Sequence, residues 1–119
     1  MKIAVAAKGK TVDDQVDDRF ARAQNLIIVD TDTMDFEVLE NAQNAQAAHG
    51  AGVQAAASIA NAGVEYVITG HCGPNAFNIL NEAGIKVVVG ASGTVKEAVE
   101  AYKRGELKFA DSSDVNRHW

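Results

Sequence analysis

Tyr66-Val67-Ile68-Thr69 is an apolar, largely β-branched run, and the loop Gly70-His71-Cys72-Gly73 follows it directly. Pro74-Asn75-Ala76-Phe77-Asn78-Ile79-Leu80-Asn81-Glu82-Ala83 then carries helical spacing, Gly84 stops it, and Ile85-Lys86-Val87-Val88-Val89 is apolar again. Strand, loop, helix, glycine and strand in that order predict a βαβ crossover and therefore a parallel pair of strands. Pro74 stands where its missing N–H costs nothing, and Phe77 and Leu80 share the inward side of the helix. The pattern repeats at once. Gly90-Ala91-Ser92-Gly93 leads into a helix from Thr94 to Arg104 that Gly105 closes. Thr94-Val95-Lys96-Glu97 reads as a capping box, and Val95, Ala98, Val99 and Tyr102 are the expected inner face.

Toward the N-terminus, Lys2 to Ala7 predicts a buried first strand, and a long loop runs from Lys8 to Ala23. Leu26-Ile27-Ile28-Val29 and Phe36-Glu37-Val38-Leu39 predict an antiparallel hairpin about the turn-forming run Asp30-Thr31-Asp32-Thr33. Residues 40 to 48 are rich in Asn, Gln and Ala and are expected to be a mobile connector. A helix follows from His49-Gly50-Ala51-Gly52, with Val53, Ala56, Ala57, Ile59 and Ala60 facing inward and Asn61-Ala62-Gly63 as its stop.

The order β-β-β-α-β-α-β-α predicts an α/β fold with a five-stranded mixed sheet in the order 3-2-1-4-5, strand 2 antiparallel, flanked by helices. Every helix then starts at one rim of the sheet, where residues 8–23, 41–49, 70–73 and 90–93 converge, and open α/β sheets bind ligands at this edge. Lys8, Lys10, Arg19, Arg22 and His49 are on that rim, and the glycine-bracketed loops feed helix N-termini that favour anions. Each loop alone is equally consistent with glycines required for turn geometry. Their convergence with the cations points to an anionic ligand.

Individual residues leave alternatives open. His71 and His49 are either ligand contacts or ordinary loop histidines. Cys72 is either a metal or sulfide contact or a small buried thiol, and free cysteines commonly pack as the latter. Arg19 and Arg22 are either solvated or aimed at an anion. Asp13, Asp14, Asp17 and Asp18 lack the spacing and glycine of a calcium loop and are expected to be a solvated acidic loop.

The chain has 119 residues, about one domain's worth, and its 47% apolar composition is enough for a core. We expect one domain over residues 1–110 and a C-terminal tail over 111–119. A net charge of -5 and a pI near 5.0 argue against nucleic acid as the main partner. The lone Cys72 cannot form an intramolecular disulfide and no Cys-x-x-Cys pair exists, which suits a reducing cytoplasm. The apolar run before Lys8 is too short for a membrane span. No Gly-x-Ser-x-Gly, phosphate-loop or His-x-x-x-His pattern occurs, so the residues suggest a cradle more than a reaction.

Val67 to Phe77, Ala83 to Val87 and Gly90 to Ala98, with His49-Gly50-Ala51-Gly52 and Asp18 to Ala23, resemble the dinitrogenase iron–molybdenum cofactor biosynthesis family across nearly the whole chain. That family includes NifX- and NafY-type accessory proteins, the C-terminal part of NifB and the orange-protein branch of sulfate-reducing bacteria, which this length resembles most. The resemblance implies a three-layer, ribonuclease-H-like fold and non-covalent carriage of a metal–sulfur cluster. For the orange-protein branch the implied ligand is a mixed molybdenum–copper sulfide. An iron–sulfur or iron–molybdenum cofactor precursor is the alternative, and MinD-type ATPases are implied partners.

The expected site comprises Lys8, Lys10, Arg19, Arg22, His49, Gly70, His71, Cys72, Gly73, Asn75, Ser92, Gly93 and Thr94, with His71 and Cys72 as possible metal contacts. The chain departs from the family pattern His-Phe-Gly-x-Ala at Arg19-Phe20-Ala21-Arg22-Ala23, so a histidine ligand cannot be transferred there. Two other function classes compete. A phosphate-ligand-binding regulatory module would use the same amides. A two-metal nuclease would need converging acids, and Asp30, Asp32 and Asp35 fall at the opposite edge from the rim.

Overall fold

The computed structural model describes residues 1–41 and 51–109. Strands β1 (Lys2–Ala7), β2 (Asn25–Asp30) and β3 (Phe36–Glu40) come first. Helix α1 (Ala51–Asn61), β4 (Tyr66–Ile68), helix α2 (Pro74–Glu82), β5 (Lys86–Val89), helix α3 (Val95–Lys103) and β6 (Lys108–Phe109) follow. The sheet order is β3-β2-β1-β4-β5-β6, so the expected five strands hold their expected places and two residues of β6 extend the far edge. β2 is antiparallel to β1 and β3, β4 and β5 run parallel to β1, and β6 returns antiparallel to β5.

The register sorts side chains between two core layers. Ile28, Ala4, Val67 and Val87 form one row across the sheet, packed with Ala55, Ala56 and Ile59 of α1 and Ala76, Phe77 and Leu80 of α2. Ile27, Val5, Ile68 and Val88 form the next row on the opposite face, under Val95, Ala98 and Val99 of α3. Alternation along each strand thus supplies three layers. Each fully buried Ile, Leu or Val contributes roughly 1.5–3 kcal/mol.

The inward face of α1 is not the one that Val53, Ala57 and Ala60 suggested. Ala55, Ala56 and Ile59 are buried, while Val53 is 42% exposed. At its start, an added Cβ on Gly52 would stand 3.3 Å from the Ala76 Cβ, so α1 and α2 meet closely there. The expected connector is described only at its beginning. Glu40 ends β3, and Asn41 is buried with its Nδ2 donating to the Ala23 carbonyl at 2.9 Å. His49 and the tail from 111 to 119 lie outside the described residues.

Candidate functional site

The β1–β2 loop is stitched down by main-chain hydrogen bonds on three sides. Lys8 N–H donates to the Gln15 carbonyl at 2.9 Å and Asp17 N–H to the Ala6 carbonyl at 2.8 Å, continuing β1 above the sheet. Val16 N–H donates to the Gly93 carbonyl, while Val95 and Lys96 N–H donate to the Asp14 and Val12 carbonyls at 2.9 and 2.8 Å. Further along, His71 N–H donates to the Asp18 carbonyl at 2.7 Å and Phe20 N–H to the His71 carbonyl at 3.3 Å. Arg19 and His71 are therefore paired as neighbours in a parallel bridge. Gly70 permits this approach, since a Cβ there would meet Asp18 Cα at 2.8 Å and its carbonyl oxygen at 2.9 Å.

The N-termini of α2 and α3 at the rim have different fates. At α3 the capping box forms as the sequence predicts: Glu97 N–H donates to Thr94 Oγ1 at 3.1 Å, and Thr94 N–H donates to Glu97 Oε1 at 2.9 Å. With Val95 and Lys96 bonded to the loop, this helix end is filled by the chain's own acceptors, a carboxylate among them. Gly93, at φ +82°, makes the turn into it. At α2 the Gly73 N-cap offers no side chain, and Pro74 opens the helix. Phe77 N–H donates to the Gly73 carbonyl at 3.0 Å, and the Asn75 and Ala76 amides meet no acceptor among the described residues. Among the described residues this dipole-positive end is thus uncapped, and it lies beside the Arg19–His71 bridge.

The predicted cations are not equivalent. Lys10 Nζ donates to Glu40 Oε1 at 2.7 Å, and that hydrogen bond, with the ammonium charge, holds the Glu40 carboxyl below the ordinary glutamate value. Lys8 and Arg19 are exposed and make no ion pair among the described residues, and Arg22 is half-buried. His71 is exposed, whereas Cys72 is 1% exposed and belongs to the core layer with Ala76 and Phe77, its Sγ 3.7 Å from the Gly73 carbonyl. Asn75 and Ser92 are exposed. Among the described residues no group of three or more His, Cys, Asp or Glu side chains lies placed to hold a metal ion.

The acidic run of the loop is only partly solvated. Asp13 and Asp18 are exposed, but Asp14 Oδ2 accepts from Thr11 N–H and Oγ1–H at 2.9 and 3.0 Å, and buried Asp17 accepts from Arg19 N–H at 3.0 Å. Asp17, expected in a solvated loop, and Thr69 and Asn41, to which sequence reasoning assigned no site role, are all buried polar residues at the rim. Asp17-x-Arg19 fits an Asx turn, the signal that marks Asp17. At the far end of the sheet, Asp30 and Asp32 face the N-terminal ammonium at 4.0 and 3.4 Å, away from the rim.

Sequence and fold together place the chain among known proteins. The profile of the family described as dinitrogenase iron-molybdenum cofactor matches residues 1–105. The chain belongs to that family. Within the dinitrogenase iron-molybdenum cofactor family, the apo form of the orange protein from Desulfovibrio gigas is 39% identical, with a TM-score of 0.92 and 96% of each chain covered. A NifB-like protein from Thermotoga is also 39% identical, covering 96% of this chain and 98% of that one, with a TM-score of 0.81. An uncharacterized protein of Methanocaldococcus jannaschii is 30% identical over 93 residues, 75% of this chain and 77% of its own. Family membership supports binding of a metal cluster or a ligand related to the iron–molybdenum cofactor. Among the described residues no helix is long and apolar enough to cross a membrane.

Proposed function

We propose that the chain binds and carries an anionic metal–sulfur cluster at this rim without covalent attachment, acting as carrier or assembly scaffold and not as a catalyst. The observation that carries the reading is the contrast between the two helix ends. α3 is closed by its own Glu97, while α2 begins, among the described residues, uncapped beside Arg19 and His71. Sulfides of a thiometalate accept hydrogen bonds from amides and cations, so the donors present suit such a cargo. In this reading Lys8, Lys10, Arg19 and Arg22 supply charge, and the amides of Gly73 and Asn75 face the cargo. Ser92, Gly93 and Thr94 form the far wall. His71 is the exposed close contact, with the Cys72 thiol beneath it and His49 as a further contact.

Likeness to the orange protein favours a mixed molybdenum–copper sulfide, with an iron–sulfur or iron–molybdenum cofactor precursor as the alternative. Transfer in the reducing cytoplasm, to or from a MinD-type ATPase, belongs to the same proposal.

Anaerobic titration of the protein with tetrathiomolybdate and copper, followed by desalting, metal analysis and a visible spectrum, tests it. Retention of both metals in a fixed ratio with a protein-dependent spectrum is the expected result. Loss of all molybdenum and copper on desalting would sink the molybdenum–copper reading. The uncapped α2 end would also take phosphate, so competition by inorganic phosphate at low concentration would favour a phosphate-binding module instead.

A further inference from the structure

Two short segments just beyond the strand ends, residues 17–19 and 69–71, meet at the rim, with Asp17 N–H donating to the Ala6 carbonyl at 2.8 Å and Thr69 N–H to the Val88 carbonyl at 3.0 Å. Two buried side chains add to the main-chain bonds at their junction. Asp17, 9% exposed, turns back so that Oδ1 accepts from the Arg19 amide at 3.0 Å. This Asx turn fixes the chain direction at the residue that pairs with His71. From the other segment Thr69, 0% exposed, brings Oγ1 to 3.4 Å from the Asp17 carbonyl and 3.3 Å from the His71 carbonyl. The same Asp17 carbonyl lies 3.5 Å from the Gly70 amide. Neither side chain reaches the surface where a cargo would sit, yet both act on the peptide units that carry Arg19 and His71.

We infer that Asp17 and Thr69 are positioning residues that hold Arg19 and His71 in register for the cargo. An acidic residue beneath a site for an anion is otherwise a liability, because its charge repels the ligand. Its role as a hydrogen-bond acceptor on the Arg19 amide accounts for its presence there. The inference rests on the cluster-carrier reading, and the two can fail separately.

Asp17→Ala and Asp17→Asn separate charge from hydrogen bonding, since both remove the same charge and only Asn keeps an acceptor oxygen. The unsubstituted protein and both variants are loaded with tetrathiomolybdate and copper. Cluster release during repeated desalting and the visible circular dichroism of the bound cluster are measured. Amide hydrogen exchange at Arg19, Gly70 and His71 is followed in the metal-free protein. Asp17→Ala should exchange faster at these amides, release the cluster about fivefold faster, as loss of one hydrogen bond implies, and alter its dichroism. Asp17→Asn should restore all three.

Equal impairment of both variants, or faster exchange in Asp17→Ala with unchanged release and dichroism, would overturn the positioning role alone. Failure of the unsubstituted protein to retain metal would sink the molybdenum–copper reading, and unchanged amide exchange in metal-free Asp17→Ala would overturn the positioning role independently. If Asp17→Ala does not fold, Thr69→Val probes the same junction from the other segment. Unchanged dichroism in that variant likewise counts against the inference.

Discussion

Glu97 shows how one side chain decides which helix end is open. Its carboxyl is held below the ordinary value of 4.5, first by the Thr94 amide and then by the Thr94 side chain. A carboxyl favoured in its charged form stabilises the fold above its unfolded-state value and loses that contribution as pH falls through the lower, folded value. Acid titration of thermal stability should therefore decline below about pH 4.5, and Glu97→Gln should flatten part of the decline. Removing the partner is a separate test: Thr94→Ala should lower stability by about 1 kcal/mol, read by chemical denaturation. Tyr102 behaves in the opposite sense at high pH. Burial, then the hydrogen bond with Tyr66, pushes its hydroxyl from 10.0 up to about 12. Ultraviolet titration should find a tyrosine ionising late, and the stability tied to its protonated form should be lost as pH rises from 10.0 toward about 12.

Among elements, the β1–β2 loop is the one whose conformation the sequence hid. The strands, the α2 and α3 boundaries and the α3 capping box were legible because alternation, helical spacing and cap residues are local signals. Loop residues 14–19 are held by main-chain bonds to Ala6, Gly93 and His71, and a bond between peptide groups leaves no mark in side-chain identity. For the same reason the run of Asp13, Asp14, Asp17 and Asp18 looked solvated, although Asp17 is buried. β6 escaped because two residues are too few to display alternation. On α1, five alanines and an isoleucine fit several faces equally well, and tertiary packing, including the close approach of Gly52 to Ala76, selects one. Gly70→Ala follows at this scale. Its Cβ would strike the Asp18 backbone, so the variant should separate the two loop segments and raise hydrogen exchange at His71 while leaving the helical circular dichroism largely intact.

For the molecule as a whole, a net charge of -5 makes approach of an anion unfavourable at long range, so capture depends on local cations inside a Debye length of about 8 Å. Lys10 already spends its charge on Glu40, whereas Arg19 has no ion-pair partner among the described residues. Arg19→Gln should consequently slow uptake of tetrathiomolybdate more than Lys10→Gln, and the gap should narrow as salt is raised; stopped-flow absorbance reads both. Equal effects would mean that the Lys10–Glu40 pair, 64% and 70% exposed, opens freely in solution. The stitched loop has one more consequence, for how such a protein changes over evolutionary time. Because peptide groups secure residues 14–16 to the body of the fold, mutation of the exposed residues nearby leaves that attachment standing. A lineage can therefore drift in the charge and reach of Lys8, Arg19 and Ser92, and so in which cargo it prefers, without first inventing a new scaffold.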